Sequence, residues 1–426
     1  MINEILSVFF VFSVFVISAY LIRHYLFTIT VLKHAKNQPT TATVPQTNFE
    51  PTVSILIPAH DEDHVIGNLL QNMTQIAYPK NKYEVIVVDD ASQDKTGQIA
   101  DTYAQQYPFI KALHRNSQIG GKGKAAALNA ALKQATGEII VCFDADYIPH
   151  PNVVGKLVEK FVDPKVGAVQ GRPVVLNEPQ NVVTRLVALE RIGGYRVDQE
   201  ARDLLGLVPQ FGGTVAAFRR DVALGFGGFD ESMLTEDTDL TFQIYRAGYQ
   251  IRYAGDAECY EEAVDSWRTY WRQRHRWAKG HMQVCLKHTS KVITSKNMRL
   301  REKIDGLLLL HIYFMPLVTL LSLFIGAYLI LTGSTLAGTL WFVVPISFYS
   351  FVGNFAPFFE ISIGAYLDGR KRAQWLAPLL IFSFFYNILI CAKAFFDLCL
   401  DKLFARRGGD WEKTTHLGRG KRYIGN

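Results

Sequence analysis

Long apolar segments constrain this chain more than any other feature of its sequence. A helix needs about 20 apolar residues to cross a bilayer. Four stretches come close to or exceed that length: Ile5 to Ile22, Leu307 to Leu331, about Leu336 to Leu367, and about Trp375 to Leu400. Residues 50–290 contain no such stretch and instead alternate short apolar runs with charged segments. The sequence therefore predicts a water-soluble domain inserted between transmembrane helices.

Two of these stretches allow alternative interpretations. The first could be a cleaved signal peptide, but no basic residue precedes it and no small-residue cleavage site follows it before Arg23, which favours a retained helix. The second C-terminal stretch is interrupted by polar and kinking residues, namely Pro345, Asn354, Pro357 and Glu360. It is expected to form either one kinked helix or two short ones, because irregular backbone in a membrane must be satisfied by protein or water.

Basic residues indicate the orientation of the chain. The first helix is followed directly by Arg23, His24, Lys33, His34 and Lys36. The positive-inside rule places that side in the cytoplasm, which predicts a multi-pass plasma-membrane protein with a cytoplasmic domain.

The C-terminal charges conflict with a simple set of crossings. Arg370 to Arg372 and the basic tail after Arg406 both favour the cytoplasm, yet one ordinary helix between them cannot satisfy both. The tail carries more positive charge, so we assign the tail to the cytoplasm. Residues Gly369 to Gln374 are then expected either outside the cell or capping an interfacial helix.

Overall charge and cysteine content exclude some classes of function. The chain has 45 basic and 39 acidic residues, a net charge of +6, which in a membrane protein indicates contact with anionic lipid and not with nucleic acid. The five cysteines lack the paired spacing of a metal site. They are expected to be reduced structural thiols.

The central domain has the element order of an α/β fold. Three apolar runs predict strands at Val53 to Pro58, Tyr83 to Asp89 and Glu138 to Phe143, and helices are predicted at Val65 to Met73 and Lys124 to Gln134. This order predicts βαβ units with a parallel sheet. Each predicted strand ends in polar or acidic residues, at the edge where open α/β sheets bind ligands.

Acidic residues at two strand ends could serve a nucleotide or a metal. Asp89 and Asp90 end the second strand, although such a pair often only caps a helix or a turn. Asp144 and Asp146 follow the third strand, and two carboxylates at this spacing can share a divalent cation such as Mg²⁺ with substrate phosphates. The position of both pairs at one sheet edge favours a site.

Three further motifs extend this site. Gly120 to Lys124 precedes a helix, where ammonium groups and the helix dipole attract a diphosphate, although the segment lacks the phosphate-loop spacing and could be a solvated turn. Glu236 and Asp237 could accept a proton from an attacking hydroxyl. Trp271 to Trp277 is either an interfacial helix or a site for phosphate and sugar.

Together these motifs resemble the processive family 2 glycosyltransferases, such as cellulose, chitin, hyaluronan and poly-N-acetylglucosamine synthases. The resemblance covers about residues 52–285. It is carried by VVDD ending at Asp90, GKAAALN at Gly123 to Asn129, DAD at Asp144 to Asp146, FGGT at Phe211 to Thr214, TED at Thr235 to Asp237, and QRHRW at Gln273 to Trp277. It implies an inverting enzyme with a GT-A nucleotide-sugar-binding domain, whose sheet is mixed and mostly parallel, inserted between transmembrane helices. The implied cofactor is Mg²⁺ or Mn²⁺.

The resemblance also implies roles for individual residues. Asp237 would be the catalytic base, with Glu236 beside it, and Asp146 would bind the metal. His60 and Asp90 would hold the uridine. The remaining implied substrate-binding residues are Glu62, Asp89, Lys124, Asp144, Gly212, Gly213, Thr214, Gln273, Arg274, Arg276 and Trp277. Trp411 in the tail resembles the tryptophan of a hyaluronan synthase gating segment and would also contact substrate.

Departures from the family pattern refine the predicted function. The cellulose-type KAGNLN is KAAALN here, and no FxVTxK gating loop follows the domain. We therefore predict a processive β-glycan synthase that uses UDP-N-acetylglucosamine and translocates its product, with accessory export or regulatory proteins as potential partners. A UDP-glucose-using β-glucan synthase and a single-transfer enzyme with a lipid acceptor remain alternatives, as does a transporter with an inactive domain.

These interpretations divide the chain into five parts. They are an N-terminal helix and linker at 1–50, the GT-A domain at 51–260, interfacial helices with the QxxRW motif at 261–303, transmembrane helices at 304–400, and a cytoplasmic tail at 401–426.

Overall fold

A computed structural model of the protein describes residues 2–37, 49–116, 118, 120–333 and 355–404. The chain begins with helix α1 (Ile2–Asn37), which extends the predicted apolar segment through the basic residues that follow it. Trp411 and the rest of the tail, and most of the third apolar stretch, lie outside the described residues.

The central domain is built on one eight-stranded sheet with the order β3-β2-β1-β4-β7-β6-β8-β5. The strands are β1 (Val53–Ala59), β2 (Tyr83–Asp90), β3 (Ile110–Arg115), β4 (Ile139–Cys142), β5 (Ile148–Pro149), β6 (Val166–Val175), β7 (Ala216–Arg219) and β8 (Gln250–Glu261). Strands β3, β2, β1 and β4 are parallel, as are β6 and β8. Strand β7 runs antiparallel to both of its neighbours. The mixed, mostly parallel sheet that the resemblance implied is confirmed.

Helices cover both faces of this sheet. They are α2 (Ile66–Thr74), α3 (Thr96–Gln106), α4 (Lys124–Gln134), α5 (Val153–Val158), α6 (Val182–Arg191), α7 (Glu200–Leu205), α8 (Arg220–Gly225) and α9 (Glu236–Arg246), with a π-helix at Ile192–Gln199 between α6 and α7. Side chains of β1 alternate between two cores: Ile55 and Ile57 pack in one, and Leu56 packs in the other. Burial on both faces explains why the strands read as continuous apolar runs.

The C-terminal part is helical. It contains α10 (Trp267–Thr294), α11 (Leu300–His311), α12 (Met315–Leu331), α13 (Ala356–Leu367) and α14 (Leu380–Leu403). Among the residues that the structure describes, three helical stretches are long and apolar enough to cross a membrane: Ile2–Asn37, Leu300–Leu331 and Trp375–Leu403. The described part of the chain is therefore that of a membrane protein.

The apolar helices pack on one another and on the domain. The Tyr20 hydroxyl on α1 donates to the carbonyl of Leu308 at 2.6 Å. Gly364 on α13 lies against the π-helix, where an added Cβ would meet Ile192 Cγ2 at 2.8 Å. Helix α1 thus packs on α11, and α13 packs closely on the π-helix of the domain.

Candidate active site

A cavity of about 600 Å³ opens at the carboxyl ends of β1, β2 and β4. His60, Asp90 and Asp144 line it at the edge of the sheet. Its other end is lined by residues of the apolar helices, including Tyr313 and Asn387. The cavity therefore runs from the sheet edge to the membrane-side helices.

Strained backbone occurs at the strand ends beside this cavity. Asp61, Ala91 and Val215 adopt the left-handed conformation, with φ of 52°, 63° and 49°. Such residues cost free energy and persist only where the surrounding structure holds them, which is common at functional sites.

The loops after β1 and β2 are bonded to each other. The His60 ring contacts the carbonyl oxygen of Asp90 through Nδ1 at 2.8 Å, and the amide of Asp61 donates to the Ser92 hydroxyl at 3.0 Å. These bonds hold His60 and Asp90 together at the mouth of the cavity. Glu62, in the same loop, also lines the cavity.

The two acids that end β2 are placed differently. Asp90 lines the cavity, and Arg115 Nη1 lies 2.5 Å from its Oδ1. Burial raises the pKa of Asp90, although the charge of Arg115 opposes this shift. The carboxylate of Asp89 instead accepts a hydrogen bond from the amide of Ser92 at 3.1 Å and contacts the ring of His114 at 3.0 Å. Asp89 therefore stabilises the loop, and its contact with substrate remains a prediction.

Lys124, at the first position of α4, connects three of the sequence motifs. Its ammonium lies 2.5 Å from Asp144 Oδ1 and donates to the carbonyl of Gly213 at 2.9 Å. The Thr214 hydroxyl accepts from the amide of Asp144 at 3.1 Å. Burial lowers the pKa of Lys124, but the nearby carboxylates outweigh it, so the pKa is raised and the lysine is charged.

A glycine is required at position 213. Its φ is +72°, and an added Cβ would meet the Cβ of Asp237 at 3.1 Å and Lys124 Nζ at 3.4 Å. The preceding residue, Gly212, lines the cavity and donates its amide to Gln170 Oε1 at 2.6 Å. The FGGT segment thus packs between the lysine and the paired acids.

Glu236 and Asp237 begin α9 and both line the cavity. Burial and the charge of Asp237 raise the pKa of Glu236 to about 7. Burial also raises the pKa of Asp237, while Lys124 and hydrogen bonds from Thr238 oppose the shift. The amide of Thr238 donates to Asp237 Oδ1 at 2.6 Å, which orients that carboxylate. A carboxylate whose pKa lies nearer neutrality is suited to proton transfer.

The carboxylates of Asp144 and Asp146 could hold a divalent cation. Both line the cavity directly after β4. Oxygen donors of this kind suit Mg²⁺ or Mn²⁺, so the residues present fit such an ion. The negative charge of nearby Glu261 is already balanced by Arg191, which donates to its carboxylate through Nε and Nη2. The Tyr147 hydroxyl also donates to this carboxylate, at 2.5 Å.

Helix α10 brings the QRHRW residues to the cavity wall, which includes Gln273, Arg274, Arg276 and Trp277. The guanidinium carbons of Arg274 and Arg191 lie 4.2 Å and 5.3 Å from the centre of the Trp277 ring. Buried Arg274 also forms an ion pair with Glu190 at 2.6 Å. Arg274 therefore supports the tryptophan, and its predicted contact with substrate remains a prediction.

Several residues of this cavity were not predicted from the sequence. Tyr195 and Glu190 line it from segments that carry no recognisable motif, and Gln210 lines it directly before the FGGT motif. His281 also lines it, contacting the Thr238 hydroxyl at 3.3 Å, and burial lowers its pKa to about 4, so its ring is neutral. His281 follows Trp277 by four residues on one helix, so the two side chains share a face, and this spacing could have predicted His281 as a site residue.

The structure brings most of the predicted site residues to one cavity, and the fold is that of a glycosyltransferase. The chain matches the family described as "Glycosyltransferase like family 2" over residues 51–280. This protein belongs to glycosyltransferase family 2.

The relatives that are named for a product have different products. The chain is 38% identical over 251 residues to a probable glycosyltransferase, YdaM, of Bacillus subtilis, covering 59% of this chain and 60% of the relative. It is 34% identical over 270 residues to the β-monoglucosyldiacylglycerol synthase of Trichormus variabilis, covering 62% and 56%. It is 24% identical over 377 residues to the poly-β-1,6-N-acetyl-D-glucosamine synthase of Staphylococcus epidermidis, covering 86% and 87%. The matches to the first two therefore span less than two thirds of those relatives.

The fold is also similar to a solved structure. A mannosyltransferase from Pyrobaculum calidifontis, in complex with GDP-Man and Mn²⁺, superposes with a TM-score of 0.61 at 22% identity, covering 95% of this chain and 100% of that chain. At this identity the similarity supports the shared fold, a GT-A glycosyltransferase domain with associated helices.

Proposed function

We propose that this protein polymerises UDP-N-acetylglucosamine into a β-linked glycan, adding each sugar with inversion and passing the product into the membrane. The observation that carries this proposal is the continuous cavity, which joins the sheet edge at Asp90 to the membrane-side residues Tyr313 and Asn387. An acceptor that occupied the membrane end would meet the donor at the paired acids.

Aromatic rings in this cavity suit a glycan. Tyr195, Trp277 and Tyr313 line it. Sugars present apolar ring faces that pack on aromatic side chains, while their hydroxyls bond to polar groups such as Asn387. The similarity to a poly-N-acetylglucosamine synthase over 86% of the chain supports the same assignment.

In the proposed reaction, the acceptor hydroxyl attacks the anomeric carbon as the bond from that carbon to the diphosphate oxygen breaks. Asp237 accepts the hydroxyl proton, and its orientation is fixed by Thr238. Lys124, which is charged, stabilises the departing diphosphate. A divalent cation held by Asp144 and Asp146 would neutralise charge on the same leaving group.

A second candidate is a single transfer to a lipid hydroxyl. The membrane end of the cavity supports it, because a lipid acceptor could enter there without leaving the bilayer. The similarity to a glucosyldiacylglycerol synthase over 62% of the chain also favours it, and in that case UDP-glucose would be the donor.

The products of reconstituted protein distinguish these functions. Liposomes that carry the protein with its domain outward are supplied with UDP-N-acetylglucosamine or UDP-glucose, and UDP release is measured together with the product. Polymerisation predicts long glycan inside the vesicles, protected from added glycanase. Lipid bearing one sugar would contradict polymerisation and support the second candidate.

A catalytic control separates the enzyme from contamination. Vesicles that carry Asp237→Asn should bind the donor but release little UDP. If neither donor yields UDP above that control, the proposed donors are wrong.

A further inference from the structure

We propose that the last apolar stretch, Trp375–Leu403, does not cross the membrane but lies in the membrane surface on the side of the catalytic domain. Its length and composition alone would allow a crossing. The contacts that α14 makes along its whole length instead indicate that it lies in the membrane surface. This inference does not depend on the proposed donor or product.

Helix α14 runs beside α10 in the same direction. At one end the rings of Tyr386 and Trp267 lie 5.2 Å apart, and Asn387 donates to the Tyr270 hydroxyl at 2.9 Å. At the other end Lys279 Nζ lies 2.6 Å from Asp401 Oδ2. Between them, a shared apolar cluster contains Ala278, Met282, Cys391, Ala394 and Leu398. The two helices therefore remain paired over more than three turns.

Helix α10 is too highly charged to cross a bilayer. Its basic side chains include Arg268, Arg272, Arg274, Arg276 and Lys279. Each charged side chain at the centre of a membrane costs at least about 2.5 kcal/mol. A helix that follows α10 for this distance must lie at the same level, which is the membrane surface.

The segment before α14 is also held to the domain. The side chain of Asp368 pairs with Arg172 and lies 3.3 Å from Arg196 Nε. Arg370 pairs with Glu178. Residues before α14 thus contact the domain, and Asp401 near its end contacts α10, which lies at the membrane surface on the side of the domain, so both ends of α14 lie on one side of the membrane.

The free face of α14 fits the apolar layer of that leaflet. It exposes Ile381, Phe382, Phe384, Phe385, Leu389, Phe395, Phe396 and Leu403. The opposite face carries Ser383, Asn387, Asp397 and Asp401, which bond to the domain or to α10. An apolar face opposite a polar one is typical of helices that lie in the membrane interface. The occupant of the free face is therefore lipid acyl chain.

This placement removes the charge conflict in the sequence. Arg370 and the basic tail no longer lie on opposite sides of a crossing helix, so both satisfy the positive-inside rule. It also makes Asn387 and Cys391, which line the cavity, a wall between the active site and the leaflet.

Spin labels at exposed positions of α14 test the proposal. Cysteines are introduced singly at Ile381, Leu389 and Phe396 in a Cys399→Ser background, since Cys399 is the one exposed cysteine of the described chain. Labels are attached in liposomes, and their depth is measured from collisions with oxygen and a nickel chelate. We expect the three depths to agree within about 5 Å, the radius of a helix. A crossing helix would change depth by up to about 22 Å over these residues, and that result would overturn the proposal.

Helix α1 provides a matched control. Labels at the exposed residues Ile5, Phe12 and Ile22 should show a steady change in depth, up to about 25 Å. A second measurement does not depend on lipid exposure: cysteine pairs at Trp267 and Tyr386, and at Lys279 and Asp401, should be joined in membranes by a short bismaleimide, because these contacts join the ends of long side chains and a disulfide would be too short. If neither pair cross-links in protein that retains UDP release, the pairing of α10 with α14 is wrong.

Discussion

Replacing Glu236 by glutamine tests the electrostatics of the paired acids. Glu236 is 8% exposed, and burial together with the charge of Asp237 raises its pKa to about 7 from an ordinary value of 4.5. The folded protein thus holds this proton more tightly than the unfolded chain does. The folded state therefore loses stability as the pH rises from about 4.5 to about 7.

The expected magnitude follows from the size of this shift. Each pKa unit corresponds to about 1.4 kcal/mol, so ionising Glu236 in the folded state costs about 3 kcal/mol at pH 8. Glutamine has nearly the same shape and does not ionise. The Glu236→Gln variant should therefore lack this part of the pH dependence and be more stable than wild type at pH 8, with little difference at pH 4.5.

Thermal unfolding in detergent, followed by tryptophan fluorescence between pH 4.5 and pH 9, measures this difference. A change of about 3 kcal/mol corresponds to several degrees in Tm for a protein of this size. Glu138→Gln, at an exposed glutamate of the same domain, controls for the loss of one carboxylate and should follow wild type. Parallel Tm profiles for Glu236→Gln and wild type would refute the reasoning.

Three further changes test the site. Asp237→Asn should retain binding of the UDP-sugar by calorimetry but lose about 10²–10⁴ in turnover, because proton abstraction is removed; near-normal turnover would exclude Asp237 as the base. Excess chelator should abolish UDP release and added Mg²⁺ or Mn²⁺ should restore it, since the leaving diphosphate needs neutralisation; full activity in chelator would contradict a metal at Asp146. Gly213→Ala should lower the free energy of unfolding by about 1–2 kcal/mol and lower turnover, because the left-handed backbone at this position and its contact with Asp237 disfavour a Cβ. Gly155→Ala is the control and should change neither stability nor turnover, because an added Cβ there meets nothing within 4 Å.

The elements of the domain could be predicted because their local signals agree. The strand predicted at Tyr83 to Asp89 is observed at Tyr83–Asp90, and the helix predicted at Lys124 to Gln134 has those bounds. A buried parallel strand needs a continuous run of apolar residues, and such a run is visible without knowledge of its neighbours. Acids at the ends of parallel strands then gather at one edge because the strands share a direction.

The sequence did not distinguish Asp89 from Asp90. Successive residues in a strand point to opposite faces, so one of two adjacent acids at a strand end must turn away from a given ligand. Which of them turns away depends on partners distant in the chain, here His114 for one and Arg115 for the other. Tyr195 and Glu190 were missed for a similar reason, because only the tertiary fold brings them to the cavity.

The composition of Trp375–Leu403 fits both a helix that crosses the membrane and one that lies in its surface. The conflict between the basic residues near Arg370 and the basic tail was the one sequence feature that argued against a crossing. The contacts of Glu190 show why this distinction bears on the chemistry. Its Oε1 accepts from the Ser383 hydroxyl on α14 at 3.0 Å and from the Tyr270 hydroxyl at 2.6 Å. Its Oε2 pairs with Arg274, which lies over the ring of Trp277. One carboxylate thus connects the membrane-side helix to the aromatic wall of the cavity, so the position of α14 and the orientation of that wall are determined together.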